Sequence, residues 1–381
     1  MKNIRIGVVG LGHRGRELLK IAAEFEQVEI AAACDIRPQN WYVQQWLSNA
    51  PLSEMFPKAA FYEDYERMLD EAKLDAVLVE TGADIHASFC KKALDKNINV
   101  LSDIPVVASL QEAEDLWKAA EQSNAAIYTG ANPNFSKFAI LLKEFYDKGL
   151  LGNPYCMEAE YIHWSVGGNK HLYENGDWRR LLVPIRYCTH SLGPLLNILN
   201  EELRKVSCFG TGEHADVSEY AVRRQYTDLP IDDMMCANFQ TPSGIVVRLM
   251  RNKRCRAQIG HHNYRVFGTE GYMERIERLD NPVIRYNSTK ELDTRLKEIG
   301  GEFMPPKYAN NPKARGHGGM DYAMLDNFLL TIGEGNGESV TLKAGLAMTI
   351  PGIYAEESAR RGGEVLPIRY PWDDDWTTEF I

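Results

Sequence analysis

The chain is predicted to be an α/β protein: an N-terminal doubly wound parallel sheet, followed by a C-terminal α+β domain with a largely antiparallel open sheet. Three observations predict this. An apolar run from Ile4 ends in Gly10-x-Gly12-x-x-Gly15 and then opens an amphipathic segment. Over the first third, short apolar runs alternate with amphipathic ones, the texture of parallel strands covered on both faces by helices. Beyond a break at Gly149, Gly152 and Pro154 the pattern turns to alternating strands, with Pro242-Ser243-Gly244 as a hairpin turn. The boundary is expected near residue 130, giving domains over 1–130 and 131–381 of the 381 residues.

Taken in order, strands are expected at Arg5–Val9, Val28–Cys34, Ala76–Val79, Val100–Leu101 and Ala126–Tyr128. Helices are expected at Gly15–Glu26, Asn40–Ser48, Tyr62–Ala72, Ile85–Lys96 and Leu110–Ser123. A helix over Phe135–Lys148 leads into strands at Tyr155–His163, Val206–Gly210, Tyr220–Gln225, Met235–Thr241, Ile245–Met250 and Tyr264–Phe267. A glycine- and proline-rich loop from Gly300 to Gly319 precedes helices at Met320–Ile332 and Lys343–Arg361.

The glycine turn carries chemistry because each part has a separate job. Gly10 permits the turn, Gly12 lets backbone approach a pyrophosphate, and Gly15 lets helix and strand pack closely. The helix expected from Gly15 then offers N–H groups and partial positive charge to phosphates, with His13 and Arg14 in the turn that leads into it. Asp35 ends the second strand, where a carboxylate accepts hydrogen bonds from ribose hydroxyls and repels a 2′-phosphate. This favours NAD over NADP, with Arg37 partly offsetting the repulsion. Other residues at the carboxyl ends of the strands, where such sheets bind ligands, are Thr81, Asp103, Ile104 and Asn132.

Composition narrows the partners. A net charge of −10 argues against nucleic acid and anionic membranes, and no apolar run reaches transmembrane length. Seven scattered cysteines read as reduced thiols. The first strand begins at Ile4, which leaves no room for a signal peptide, so a cytoplasmic location is expected. No metal-ligand spacing is present, and none of the histidines is read as a metal ligand. An open antiparallel sheet face is expected to bury itself in a homo-oligomer, a dimer or tetramer.

The layout and motifs resemble the Gfo/Idh/MocA family of NAD(P)-dependent sugar oxidoreductases over essentially the full length. The residues that carry the resemblance are the glycine turn with Asp35, Thr81 through His86, Asp103-Ile104-Pro105, Trp178-Arg179 and His190. Dehydrogenases of that family carry Glu-Lys-Pro at the strand end, with the lysine in the proton relay. Here Ile104 takes the lysine's place, and an alkyl chain cannot hold a proton or a charge.

One branch of the family also lacks the lysine: the NAD-dependent α-N-acetylgalactosaminidases, which are glycoside hydrolases. The present Tyr161-Ile162-His163 is similar to theirs, as is Tyr187-Cys188-Thr189-His190-Ser191-Leu192-Gly193-Pro194. Gly316-His317-Gly318-Gly319-Met320-Asp321 matches that branch. Asp103 stands where that branch has glutamate and Cys188 where it has proline, so the amino-sugar specificity is not carried over.

The resemblance implies a redox cycle on a small carbohydrate. Hydride leaves C3 of the sugar, the ketone acidifies the C2 proton, a base removes it, and the C1 substituent is eliminated. Water then adds and the hydride returns, giving net hydrolysis, an exception to two-carboxylate glycosidases. His190 is the expected general acid/base, with Tyr187 sharing the relay from nearly the same helix face. Tyr161 and His163 point to one face of their strand, toward the sugar. His317 orients a hydroxyl or the leaving group; Arg179 and Asp321 contact hydroxyls or cofactor. Trp178 and His86 pack on the cofactor side. Two other functions are open at this point: a net sugar or glycoside 3-dehydrogenase that releases NADH, and a non-catalytic NAD(H)-binding regulatory protein, which the missing lysine suggests.

Overall fold

Strand β1 (Ile4–Val9) is flanked on both sides, and its inward residues Ile6 and Val8 have no solvent exposure. The computed structural model describes residues 3–45, 48–163, 183–214, 232–252, 262–278 and 281–380, and it divides into two units. The first comprises Met1–Asn132 with Met304–Gly345; the second comprises Pro133–Phe303 with Leu346–Ile381.

In the first unit β1 is followed by α1 (His13–Ala22), β2 (Val28–Cys34), α2 (Gln39–Tyr42), α3 (Leu52–Met55), β3 (Ala60–Tyr62) and α4 (Tyr65–Glu71). There follow β4 (Ala76–Val79), α5 (His86–Asp95), β5 (Asn99–Ser102), α6 (Leu110–Gln122) and β6 (Ile127–Thr129). The six strands pair in parallel in the order β3-β2-β1-β4-β5-β6, the dinucleotide-binding arrangement. All four residues of β4 are buried, as a strand covered on both faces requires. Two helices start on side-chain caps: Asp64 accepts from the Arg67 N–H, and Ser109 from the Glu112 N–H, each at 3.1 Å. The helix expected over 40–48 stops at Tyr42, because only Trp41 of it is buried and no apolar stripe holds a longer one. Strand β3 escapes sequence reading because its three residues are too few to show a period.

The second unit opens with α7 (Lys137–Asp147) and β7 (Pro154–Ile162), then α8 (Thr189–Leu196), β8 (Lys205–Gly210), β9 (Met234–Gln240) and β10 (Val246–Asn252). Strands β11 (His262–Gly268), β12 (Gly271–Arg278), β13 (Asn281–Ser288) and β14 (Lys297–Gly300) complete a sheet that is antiparallel except where β7 meets β10. The β9–β10 hairpin turns at Gly244, φ +95°, as its Pro-Ser-Gly sequence implies. The strand expected at 220–225 lies outside the described residues. Strands β12 to β14 were not expected. Arg275, only 1% exposed, occupies an inward position of β12 and masks the alternation there. One face carries a ladder of paired charges, with Arg248 and Arg265 each 3.0 Å from Glu158 and Arg285 2.9 Å from Glu298. Such exposed pairs each contribute at most about 1 kcal/mol.

The chain then returns to the first unit. Residues 304–345, expected in the second domain, include α9 (Met320–Glu334) and the start of α10 (Leu342–Arg360). Their packing explains the difference. Tyr322 stacks on Phe25 at 4.5 Å, and the Thr129 N–H donates to the Val340 carbonyl at 2.8 Å. Strand β6, only three residues long, thus gains a partner on its edge. The remainder of α10 belongs to the second unit, where the last short strand, β15 (Leu366–Pro367), pairs with β8. Among the described residues no helix is long and apolar enough to cross a membrane.

A Cβ on Gly15 would lie 1.8 Å from the Gly10 carbonyl oxygen, whereas one on Gly12 meets nothing within 4 Å. Urea unfolding of Gly15→Ala is therefore expected to show a loss of about 3 kcal/mol. Gly12→Ala should stay within about 0.5 kcal/mol of the parent.

Candidate active site

At the end of β1 the backbone must turn sharply. Gly10 takes φ +88°, and a Cβ there would sit 2.6 Å from the Glu80 carbonyl oxygen, so only glycine fits. Gly12 borders open space instead. Helix α1 starts there with no side-chain cap and no acid in its first turn, so its N-terminal N–H groups remain for an anion. Asp35, at the end of β2, ties this turn down. Its carboxylate accepts from the Leu11 N–H at 2.6 Å, the Arg37 N–H at 2.8 Å and the Asn40 amide at 3.0 Å. A carboxylate has about four acceptor positions, so capacity remains for a hydroxyl donor. A glycine with room beside it, an uncapped helix start and an acid at the next strand end together fit a dinucleotide.

His86 is 1% exposed, and each of its ring nitrogens lies 3.0 Å from a backbone carbonyl oxygen, those of Pro105 and Thr81. It joins the loops after β4 and β5. Ile104, which precedes Pro105, is also 1% exposed.

Arg14 organises a second group in the same unit. Its Nη1 is 2.6 Å from Asp321 Oδ2, and its Nε lies 3.6 Å from Asp103 and 3.9 Å from Glu80. The Asn132 amide donates to the other Asp321 oxygen at 2.8 Å, and His317 Nδ1 approaches Oδ2 at 2.8 Å. His317 itself has φ +45° in a turn whose Gly316, Gly318 and Gly319 all have positive φ. Burial works against the charge on Asp321, but Arg14 and His317 outweigh it and hold the carboxyl well below the ordinary range. Burial likewise opposes the charge on Arg14, while Asp321, Asp103 and Glu80 keep the guanidinium protonated. The first turn of α1 is thereby pinned.

In the second unit the candidate proton-handling residues gather at one end of the sheet. Tyr161 sits in register beside Arg251 of β10 and His262 of β11. His262 stacks on its ring at 4.2 Å, and the rings of His163, His190 and Tyr187 lie 5.6, 5.8 and 6.0 Å away. Tyr187 is not helical: it follows a 3₁₀ turn over Pro184–Arg186, whereas His190 lies in the first turn of α8. Their contact survives, with Tyr187 Oη 3.3 Å from His190 Nε2.

Local chemistry explains how His190 is placed. Pro194 lies inside α8 and has no N–H to give to the carbonyl four residues back, which is that of His190. The Tyr264 hydroxyl donates to this carbonyl at 2.7 Å. Burial pushes the Tyr264 phenol well above its ordinary range, so it stays a neutral donor. Cys188, the residue before α8, is buried against the Met348 carbonyl, and burial pushes its thiol up to about 12. It is no nucleophile at neutral pH.

The structure therefore places the expected residues in two groups. Arg14, Asp103, Asn132, His317 and Asp321 share the first unit with the glycine turn, Asp35, Thr81 and His86. Tyr161, His163, Tyr187 and His190 share the second. His13 and Arg37 are exposed. Trp178 and Arg179 lie outside the described residues. Four neighbours went unread as site residues: Glu80, Arg251, His262 and Tyr264. For Arg251 a signal existed, since Val247, Leu249 and Arg251 alternate on the buried face of one strand.

Residues 4–131 match the Gfo/Idh/MocA model, described as an oxidoreductase family with an NAD-binding Rossmann fold. This domain belongs to the Gfo/Idh/MocA family. Over nearly the whole chain the protein is similar to glycosyl hydrolase family 109 protein 1 of Akkermansia muciniphila, 25% identical, covering 99% of this chain and 84% of the relative. It is also similar to the α-N-acetylgalactosaminidase of Shewanella oneidensis, 22% identical, covering 94% of this chain and 83% of the relative. Its fold is that of a scyllo-inositol dehydrogenase from Lactobacillus casei solved with NAD(H) and scyllo-inositol, with a TM-score of 0.72, 17% identity and coverage of 96% and 99% of the two chains. An inositol dehydrogenase homologue from Azotobacter vinelandii with NAD⁺ gives a TM-score of 0.76 at 16% identity, covering 96% and 97%. The match to a family with an NAD-binding Rossmann fold agrees with the glycine turn and Asp35.

The depressed Asp321 carboxyl has a thermodynamic consequence. A group whose folded pKa lies below its unfolded one stabilises the protein fully above the unfolded value, near 4, and loses that contribution as pH falls through the folded value. Asp321→Asn is expected to lose about 3 kcal/mol at pH 7, because Arg14 loses its nearest carboxylate and keeps only the more distant Asp103 and Glu80. Urea titrations at pH 7 and pH 3 should show the gap between variant and parent narrowing at the lower pH.

Proposed function

We propose that this protein is an NAD-dependent glycoside hydrolase that works by transient oxidation at C3 of its sugar. The observation that carries the reading is a replacement. Where dehydrogenases of the family have a relay lysine, this chain has the buried Ile104, while one further phenol and three imidazoles gather around Tyr161. Proton handling therefore falls to these rings. Bound NAD⁺ supplies a hydride acceptor at the start of the cycle and a hydride donor at its end.

His190 is assigned the proton of the C3 hydroxyl, because imidazole titrates near neutrality and its Nε2 already faces the Tyr187 hydroxyl. Tyr161 is assigned the C2 proton, with His163 beside it as a sugar contact. Arg14 and Asp321 fix the phosphate-facing helix, with His317 as their outward neighbour. The names of the hydrolase relatives support the hydrolase reading. The sugar itself is left as a glycoside with a leaving group at C1, since Asp103 and Cys188 depart from the amino-sugar branch.

A second reading, net oxidation of a sugar or glycoside at C3 with release of NADH, is supported by the shared fold with inositol dehydrogenases. In either reading the six described cysteines, all free thiols, suit a reducing cytoplasm. The ladder of paired charges on the open sheet face suits assembly with further copies of the chain.

The purified protein, given p-nitrophenyl α- and β-glycosides, is expected to release nitrophenol in an NAD⁺-dependent manner while absorbance at 340 nm stays flat. Growth at 340 nm without nitrophenol would replace the hydrolase by the dehydrogenase. His190→Ala should reduce turnover by about 10³-fold and retain NAD binding.

A further inference from the structure

Arg251 is the least expected residue in the second unit. It follows Val247 and Leu249 on the inward face of β10, a position that calls for an apolar side chain, and it is 3% exposed. Buried guanidinium groups are normally paired with carboxylates. This one has none at salt-bridge distance among the described residues. The ionisable groups that act on it are Tyr161, Tyr187 and the buried thiol Cys188. Its Nη1 donates to the Tyr161 carbonyl at 3.1 Å and to the Asn252 carbonyl at 2.6 Å, which fixes the group in place. So held, the guanidinium lies over the Tyr161 ring, 4.0 Å from its centroid, and 5.7 Å from that of Tyr187.

Resting on the assignment of Tyr161 as the C2 base, the geometry points to Arg251 as a positioning residue that supplies the counter-charge for a Tyr161 phenolate. Burial alone disfavours an ionised phenol. A fixed cation at this range works in the opposite direction and, in a low-dielectric setting, works more strongly than it would in water. Arginine suits the task because its charge persists under burial, where a lysine is readily neutralised. Among the described residues, the other rings that face Tyr161 are those of His262, stacked at 4.2 Å, with His163, His190 and Tyr187 at 5.6, 5.8 and 6.0 Å. All are neutral or cationic near pH 7, so they add no competing negative charge. In the elimination step the phenolate oxygen forms an O–H bond with the C2 proton of the 3-keto sugar. The electron pair of the broken C–H bond moves into the C1–C2 linkage as the C1 substituent leaves. The step is redox-neutral and ends with a neutral phenol beside the guanidinium.

The test is an ultraviolet titration of tyrosine ionisation at 295 nm on the full chain, which requires neither sugar nor turnover. Parent minus Tyr161→Phe is expected to reveal one phenol that ionises ahead of the others. In Arg251→Met that step should move up by about one pH unit or more, a tenfold weaker acid or beyond. Arg251→Lys should restore part of the shift. The acid limb of the kcat/KM profile should move upward with it in Arg251→Met, a displacement that loss of packing alone does not produce. An unmoved step in a folded Arg251→Met overturns the assignment. Should Arg251→Met fail to fold, the parent and Tyr161→Phe suffice: absence of an early step between them also overturns it. Loss of the hydrolase reading would appear separately, as absence of nitrophenol release with the titration intact.

Discussion

The ion pair between Arg14 and Asp321 joins residues 307 apart in sequence and ties helix α1, which follows the glycine turn, to α9. Taking two charges out of water costs several kcal/mol per ion, and a pair of this kind contributes little net stability over a well-packed apolar contact. Its value lies in position. Arg14 sits two residues past Gly12, so wherever Asp321 holds the guanidinium it also holds the first turn of the helix. Asp103, Glu80, Asn132 and His317 complete the arrangement, each arriving from a different strand end or loop.

The second unit meets the same need, fixing a reactive side chain, with neutral groups. Pro194 removes one N–H from α8, the Tyr264 hydroxyl takes the carbonyl thus released, and His190 is held by its own backbone. Charge is abundant around the glycine turn, where an anion is to be held. Among the described residues that contact the Tyr161 ring, Arg251 carries a permanent charge, and the others are the rings of His163, Tyr187, His190 and His262.

Much of this was legible in the sequence. The order of glycine turn, helix, strand and Asp35 implies a parallel sheet with a dinucleotide-type turn, because each residue answers a separate steric or electrostatic demand. Tyr161 and His163, two apart on a strand, and Tyr187 and His190, three apart, were readable as pairs; the second pair meets although Tyr187 is not helical. What stayed hidden was long-range pairing. Nothing local says that Arg251, Tyr161 and His262 stand side by side, since that depends on the register of three strands. The return of residues 304–345 was equally silent, because α9 is apolar around most of its circumference and its sequence does not say which sheet it covers. Arg275 shows the converse difficulty, a buried charge that hid a strand.

That return also sets an order of events for the nascent chain. Domains generally fold as units while synthesis proceeds, the N-terminal one first. Here the N-terminal sheet cannot complete its β6 edge, cover Phe25 or neutralise the acids around Arg14 in their final pattern until residues 304–345 have been made. The second unit's sheet, complete by residue 300 except for β15, is released from the ribosome earlier than the segment that finishes the first. A chain broken off after residue 303 would hold every glycine of the phosphate turn yet lack the carboxylate that anchors Arg14, so truncated products are denied the pinned form of the cradle.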